Sequence, residues 1–195
     1  MKTIGILALQ GDFEAHEAAI ARAGAAPLLV RETSQFGIID GLIIPGGEST
    51  TMIKLLHYDA MIDALKQFGK EKPVFGTCAG AVLMATQTTH PAQESLGMMD
   101  MTVERNAYGR QNESRIAEIE IESDFQKRMN AKKLEAIFIR APIIRRVGVG
   151  VKVLALYNGD PVLVEEGLHM AATYHPELTK SSDVHRLFIS KLGRQ

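Results

Sequence analysis

Cys78 is the single cysteine of this 195-residue chain, and it lies between Gly76 and Gly80 in the segment VFGTCAGAV. Apolar runs on both sides predict a strand that ends near Gly76 and a helix that begins near Ala79. Such a turn resembles the nucleophile elbow, which presents a side chain above the edge of a sheet. The glycines allow close backbone approach, and the helix start offers N–H groups that stabilise a thiolate and a developing oxyanion. A lone buried cysteine is commonly a small hydrophobic residue, but this pattern at a strand end favours a nucleophile.

A nucleophilic thiol needs a base, and the segment YHPE near the end of the chain offers one. His175 precedes Pro176, which biases its backbone toward extended conformations. Because residues two apart on an extended segment point the same way, His175 and Glu177 should share a face, with the carboxylate orienting the imidazole. Taken alone, these residues would be a turn histidine and an acid at a helix start. Together with Cys78 they form a candidate catalytic set that only folding can assemble.

The other histidines have no comparable neighbourhood, and we interpret them as surface or structural residues. They are His16, His57, His90, His169 and His185. No pair of them has metal-ligand spacing, and one cysteine provides no thiolate cluster, so the sequence predicts no metal site.

A third candidate segment, IIPGGEST at residues 43–50, also ends a strand and opens a helix. Gly46 and Gly47 leave backbone N–H groups accessible to an anion or oxyanion. An ordinary strand-to-helix turn, with Ser49 or Thr50 opening the helix, explains the same residues. A phosphate-binding P-loop is excluded because the lysine after the glycines is missing.

The elements that must position these segments differ between the two halves of the chain. In the first half, strands are predicted at residues 3–9, 26–31, 40–47 and 72–76, and helices at 12–24, 49–69 and 79–87. Short apolar strands separated by helices favour a parallel sheet covered on both faces. The second half is predicted as mostly strands, with a surface loop at 86–97, a hairpin at Asn158-Gly159 and a closing helix at 181–193.

The composition limits the partners and the compartment. Apolar residues make up 46% of the chain and charged residues 23%, and the net charge of −1 gives no reason to expect nucleic acid or an anionic membrane as a partner. No apolar stretch reaches the roughly 18 residues of a membrane span, and the short N-terminal apolar run predicts a buried strand instead of a signal peptide. One cysteine cannot form an internal disulfide, so a cytoplasmic location is expected. We expect a single domain over residues 1–195.

Several strings together resemble the class I glutamine amidotransferase family: GTCAG at Cys78, HPE at His175 and the Gly46-Gly47 pair. The strings PGGEST, FGTCAG, VERNAYGRQ, FIRAP and YHPELT also occur in the order found in the glutaminase subunits of pyridoxal 5'-phosphate synthase. With the N-terminal IGILALQG they cover nearly the whole chain. The resemblance implies a flavodoxin-like three-layer α/β sandwich, with a mostly parallel central sheet and additional antiparallel strands in the second half.

The resemblance also implies roles for individual residues. Cys78 would be the nucleophile, His175 the general base and then acid, and Glu177 the residue that orients it. The backbone N–H groups of Gly47 and Ala79 would form the oxyanion hole. The implied glutamine pocket comprises Gly46, Gly47, Glu48, Arg105, Ile139 and Arg140. The planar fork of an arginine suits a ligand carboxylate, although without the resemblance both arginines would be interpreted as solvated charges.

The implied reaction is hydrolysis of L-glutamine to L-glutamate and ammonia, with no cofactor. The ammonia would pass to a pyridoxal 5'-phosphate synthase subunit, in a hetero-oligomer that makes the vitamin from a pentose phosphate and a triose phosphate. Three alternatives stay open: the glutaminase of another amidotransferase such as imidazole glycerol phosphate synthase, a related thiol protein of the chaperone or peptidase type, and a non-catalytic binding module. The glutamate of GGEST with RNAYGRQ argues against the first, the HPE segment against the second, and the intact triad against the third.

Overall fold

The computed structural model describes residues 1–107, 114–129 and 131–193. In these ranges the strands are β1 (Thr3–Leu7), β2 (Ala26–Val30), β3 (Gly41–Ile44), β4 (Val74–Thr77), β5 (Ala85–Thr89), β6 (Met99–Glu104), β7 (Arg115–Ile121), β8 (Lys133–Phe138), β9 (Ile143–Val147), β10 (Lys152–Tyr157), β11 (Asp160–Glu166) and β12 (His169–Ala172). The helices there are α1 (Phe13–Arg22), α2 (Ser49–Leu56), α3 (Met61–Glu71), α4 (Ala79–Met84), α5 (Ser123–Met129) and α6 (Asp183–Ile189). None of these described helices combines the length and apolarity needed to cross a bilayer.

Nine of the described strands form one large sheet, in the order β2-β1-β3-β4-β12-β11-β10-β7-β8. Neighbours run parallel from β2 to β12 and antiparallel from β12 to β8. The parallel part has the strand order of a flavodoxin-like sheet, in which ligands bind beyond the carboxyl ends of the strands. The described strands β5, β6 and β9 form a small separate sheet. The predicted α/β fold with a parallel centre and antiparallel strands in the second half is confirmed.

The central strands are apolar on both faces because helices cover both. Leu42 and Ile44 of β3 join the hydrophobic cluster beneath α2, α3 and α4, whereas Ile43 between them joins the cluster beneath α1, α5 and α6. All three side chains are fully buried, as alternation along a strand between two covered faces requires. The result is a three-layer sandwich.

The antiparallel end of the sheet follows a different pattern, which the sequence EIEI predicted. On β7, Ile119 and Ile121 are buried while Glu118 and Glu120 are exposed. One face of this part of the sheet is therefore wet. The predicted hairpin between β10 and β11 is also confirmed, since Asn158 and Gly159 both have positive φ, as a two-residue turn of this type requires.

The single helix predicted at residues 49–69 is wrong, because the structure contains two helices, α2 and α3, joined by a 3-10 turn at Tyr58–Ala60. Ala60 has a φ of 54°, a left-handed conformation that interrupts the helical hydrogen-bond ladder. Gly69 does not end α3, as predicted, but lies within it and packs against Met98. The helix instead ends just before Pro73, where the residue preceding proline is extended.

Other boundaries also differ from the prediction. The helix expected at residues 79–87 ends at Met84, and the chain continues directly as β5, so the expected loop at 86–97 begins as a strand. The threonines of β5 suit a strand that pairs with β6. Strand β9 and helix α5 were not predicted, since neither segment has a clear apolar period.

Candidate active site

Cys78 occupies a strained turn between β4 and α4. Its φ of 48° and ψ of −107° lie outside the regions that residues with a side chain ordinarily adopt. Its N–H donates to the carbonyl of Ala172 on β12, 2.8 Å away. A Cβ atom on Gly80 would lie 2.0 Å from the carbonyl oxygen of Ile44, and one on Gly76 would lie 2.5 Å from the Gly80 backbone. Both flanking glycines are therefore required for close backbone approach.

His175 reaches this turn from the end of β12. Its N–H donates to the carbonyl of Ile137 on β8, 2.8 Å away, and its Nδ1 lies 2.7 Å from Oε1 of Glu177. The two side chains share a face as predicted, but the predicted reason is wrong. The segment after His175 is a 3-10 turn, Pro176–Leu178, and not an extended chain. Both side chains are almost completely buried.

The pKa shifts of His175 and Glu177 favour an ion pair between the two side chains. Burial alone would lower the pKa of His175, but hydrogen bonds and charge interactions with Cys78 and Glu177 outweigh it and raise this pKa to about 10. Burial would raise the pKa of Glu177, but the neighbouring His16 and His175 lower it. At neutral pH the imidazole is therefore cationic and the carboxylate ionised, so the two form a buried ion pair next to Cys78.

The Gly46-Gly47 segment forms a wall of the site that packs directly against His175. A Cβ atom on Gly46 would lie 2.5 Å from Cε1 of His175 and 3.3 Å from Cβ of Cys78, so only glycine fits there. The Gly46 carbonyl accepts a hydrogen bond from the N–H of Asp12 at 3.1 Å. Gly47 and Ala79 both line the cavity next to Cys78. Ala79 is the first residue of α4, so its N–H has no partner within the helix.

The structure brings every residue of the predicted pocket to two adjoining recesses that share Cys78. They are lined by Gly46, Gly47, Glu48, Cys78, Ala79, Arg105, Ile139, Arg140 and His175. Part of the predicted motif, Tyr108 to Gln111, lies outside the described residues. Ile139 and Arg140 follow β8, and the Ile139 carbonyl oxygen lies 3.9 Å from the Cys78 sulfur.

Glu48 caps helix α2, whereas the sequence predicted Ser49 or Thr50 to open this helix. Its carboxylate, and not the hydroxyl of Ser49 or Thr50, caps α2 by accepting hydrogen bonds from the N–H groups of Thr50 and Thr51. These bonds and one from the Thr51 hydroxyl outweigh partial burial and lower the pKa of Glu48 to about 2. Arg105 lies 3.8 Å from this carboxylate and donates to the Thr50 hydroxyl at 2.8 Å. The cap therefore also anchors the arginine.

Two contributions were missed by the sequence interpretation. Gln10 follows β1, and its side-chain oxygen accepts from the N–H of Glu48 at 2.8 Å, which fixes the turn at Gly47. A signal was available, because Gln10 follows a third parallel strand that ends at the same edge of the sheet. His16 and His185, which we interpreted as surface or structural, lie fully buried behind Glu177.

Solved structures share this fold. A crystal structure described as a glutamine amidotransferase superimposes with a TM-score of 0.89 at 41% identity, covering 98% of this chain and 99% of that one. A chain from the structure of PurLQS of Thermotoga maritima has a TM-score of 0.71 at 14% identity, over 97% of this chain and 97% of that one. At that identity the second likeness shows the fold alone.

Curated relatives match over almost their full length. A protein of Solibacter usitatus named pyridoxal 5'-phosphate synthase subunit PdxT is 60% identical over 98% of this chain and 100% of its own length. A protein of the same name from Thermotoga maritima is 46% identical over 95% of this chain and 97% of its own length. The model of the SNO glutamine amidotransferase family matches residues 6–194. This chain therefore belongs to the SNO glutamine amidotransferase family.

Proposed function

We propose that this chain is the glutaminase subunit of a pyridoxal 5'-phosphate synthase, which hydrolyses L-glutamine and supplies ammonia to a synthase subunit. The observation that carries the proposal is the buried row of Cys78, His175 and Glu177 at the carboxyl ends of β4 and β12, with a raised pKa on the histidine. The high identity to full-length proteins named as that subunit supports the choice of partner.

The reaction follows from the positions of these groups. The Cys78 thiolate attacks the side-chain amide carbon of glutamine, and the N–H groups of Gly47 and Ala79 hold the oxyanion of the tetrahedral intermediate. His175 gives its proton to the departing nitrogen, which leaves as ammonia and a γ-glutamyl thioester remains. A water molecule that loses a proton to His175 then attacks the thioester and releases glutamate.

The rest of the pocket holds the amino-acid end of the substrate. Arg105 and Arg140 border the recess next to the nucleophile, and a guanidinium binds a carboxylate through two parallel hydrogen bonds. The side chain of Arg105 is largely buried and held by Thr50, so little side-chain entropy is lost when it binds the ligand. We assign it the α-carboxylate.

Delivery of the product requires the partner. Ammonia released into water at neutral pH is protonated and ceases to be a nucleophile, so a glutaminase that feeds a synthase gains from working only when docked. We propose that the isolated chain is a weak glutaminase, that the complex assembles in the cytoplasm, and that pyridoxal 5'-phosphate forms on the partner subunit.

The test is glutamate release from glutamine by this chain alone and with an equimolar amount of the synthase subunit. We expect faster turnover in the complex and none in the Cys78→Ser variant, which should keep its fold because the substitution is nearly isosteric. Substantial activity in the Cys78→Ser variant would rule out the mechanism. Equal rates with and without the synthase subunit, or no complex by sedimentation in the presence of glutamine, would rule out activation by the partner.

A further inference from the structure

A second row of buried polar side chains lies behind the catalytic row. Glu177 uses Oε1 to contact His175, and its other oxygen, Oε2, has no hydrogen bond of ordinary geometry within the described residues. The Nε2 atom of His16 on α1 lies 3.4 Å from Oε2, and neither side chain has any exposed surface. A buried carboxylate oxygen without a donor is costly, so the identity of the group facing it matters.

His16 has two further partners. Its Nε2 lies 3.1 Å from the hydroxyl of Thr77, the residue before the nucleophile, and its Nδ1 lies 3.3 Å from Nε2 of His185 on α6. In the described part of the chain, Nδ1 of His185 is buried and has no hydrogen-bond partner. Burial lowers the pKa of His16, and it lowers the pKa of His185 to about 3. Both rings are therefore neutral at pH 7, and each carries one N–H.

The contacts select one arrangement of these protons. If His16 carried its proton on Nδ1, its bare Nε2 would face the carboxylate lone pairs of Glu177, and His185 would have to keep its proton on the Nδ1 atom that lacks an acceptor. If His16 carries the proton on Nε2, this N–H is shared between the Thr77 hydroxyl oxygen at 3.1 Å and Oε2 of Glu177 at 3.4 Å, and His185 donates from Nε2 to Nδ1 of His16. Only an acceptor atom of His185 is then left unpaired, and a buried unpaired acceptor is commoner in proteins than a buried unpaired N–H.

We propose that His16 is a positioning residue of the glutaminase reaction, whose Nε2 N–H is shared between the Thr77 hydroxyl and Oε2 of Glu177 and so holds the carboxylate that orients His175. This inference rests on the proposed function. Without that donor the carboxylate can rotate and takes up a proton more readily, and His175 loses the acceptor that sets its orientation. The effect falls on the chemical step, because His16 lies behind the triad and outside the residues that line the pocket.

The kinetic test compares His16→Leu, which removes the donor, with His16→Gln, whose amide nitrogen can occupy roughly the position of Nε2. We expect His16→Leu to lower kcat on the order of 10- to 100-fold, as loss of an orienting partner typically does, with the KM for glutamine unchanged. His16→Gln should recover most of the loss. If His16→Leu does not fold, His16→Asn replaces it, since its shorter amide reaches His185 but not Glu177. Equal kcat values for His16→Asn and His16→Gln would then overturn the proposal.

The pH profile separates positioning from a purely structural role. The ionisable groups that face His16 are Glu177, His175, Asp12 and His185, and Arg22 faces His185. Removal of the donor raises the pKa of Glu177, so the acid limb of the activity profile should move to higher pH in His16→Leu. The matched control is His169→Leu, a half-buried histidine at the start of β12 that accepts a hydrogen bond from the N–H of Val74. It should lower thermal stability without changing kcat or the profile, and the same behaviour in His16→Leu would overturn the proposal.

A second measurement does not depend on activity. Nitrogen-15 NMR of histidine-labelled protein reports which ring nitrogen carries the proton, and the signals of His16 are those absent from the His16→Gln variant. We expect a neutral ring protonated on Nε2 between pH 7 and 8. A ring protonated on Nδ1 alone, which leaves Nε2 bare, would overturn the proposal even in an active enzyme. The expected tautomer in a protein that shows no glutaminase activity with the synthase subunit would contradict the proposed function instead.

Discussion

The two ends of the large sheet are built differently and contribute differently to the site. At the parallel end, β1, β3 and β4 are apolar on both faces, and each ends in a turn that carries a site residue, among them Gln10, Gly46 and Cys78. At the antiparallel end, β7 alternates between buried and exposed residues. The main contribution of this end to the site is the Ile137 carbonyl, which accepts a hydrogen bond from the N–H of His175, together with the Ile139-Arg140 turn. The comparison shows that parallel strands, which all end at the same edge of the sheet, bring several turns together at the site.

Charge is also distributed differently between the two ends. The ionisable groups at the parallel end converge on His175 and Glu177, where they set proton positions. The antiparallel end contains a separate ion cluster, in which Glu165 of β11 binds Arg128 through two hydrogen bonds and Lys191 at 2.7 Å. We infer that substitutions at the parallel end change activity first and that substitutions in this cluster change stability first.

The largest expected effect is on the base at the parallel end. His175→Asn should lower kcat on the order of 1,000-fold or more, because neither the thiolate nor the leaving nitrogen then has a proton-transfer partner. Glu177→Gln should leave more activity, since the imidazole remains and loses only its orienting charge. Single-turnover and steady-state glutamate release measure both. Wild-type rates in His175→Asn would contradict the assignment of His175 as the base.

The second largest effect is expected from a glycine substitution at the parallel end. Gly80→Ala places a methyl group 2.0 Å from the carbonyl oxygen of Ile44, where only a backbone shift could make room. We expect a loss of about 3 kcal/mol in the free energy of unfolding and a loss of activity, because α4 would be displaced from Cys78. Urea denaturation measures the first. The control is Gly37→Ala, whose Cβ would meet no described atom within 4 Å, and an equal loss there would show that packing at Gly80 is not the cause.

At the antiparallel end, Glu165→Gln should lower stability by about 2 kcal/mol at pH 7 and leave kcat unchanged. Burial would raise the pKa of Glu165, but hydrogen bonds from Arg128 and Lys191 lower it to about 2. The stability that this ionised group contributes is therefore present above about pH 4.5, the ordinary glutamate value, and is lost as the pH falls toward 2. Thermal unfolding across that window should show a flatter pH dependence in the variant. A large drop in kcat for Glu165→Gln would contradict the inference that substitutions in this cluster change stability first.

The smallest expected effect sharpens the assignment within the pocket. Arg105→Lys keeps the charge but removes the fork that binds a carboxylate through two hydrogen bonds. We expect the KM for glutamine to rise about 10-fold with kcat nearly unchanged, which is the signature of lost uniform binding. Steady-state kinetics in the presence of the synthase subunit measure both. A fall in kcat with unchanged KM would mean that Arg105 acts on the reacting centre and not on the amino-acid end.

The sequence was most informative where a strand, a glycine and a functional side chain coincide. Cys78 with its flanking glycines and the Gly46-Gly47 turn follow local rules, and their positions could be predicted. The break between α2 and α3 could not, because it depends on a left-handed Ala60 within a continuous apolar period. The contact between His16 and Glu177 could not be predicted for a similar reason, since a lone histidine on a helix carries no local sign that a carboxylate from the other end of the chain will face it.

The position of β12 has a consequence for how the protein comes into being. Among the described strands this one is synthesised last, yet it lies between β4 and β11 and supplies the carbonyl that holds Cys78. Until it leaves the ribosome, β4 and β11 both present unpaired edges, which are prone to pairing with other chains. The nascent polypeptide thus carries its thiol through most of translation without a base. The insertion of one four-residue strand closes the sheet and brings the base close to the thiol, so a chain that ends before this strand lacks the base that the proposed reaction needs.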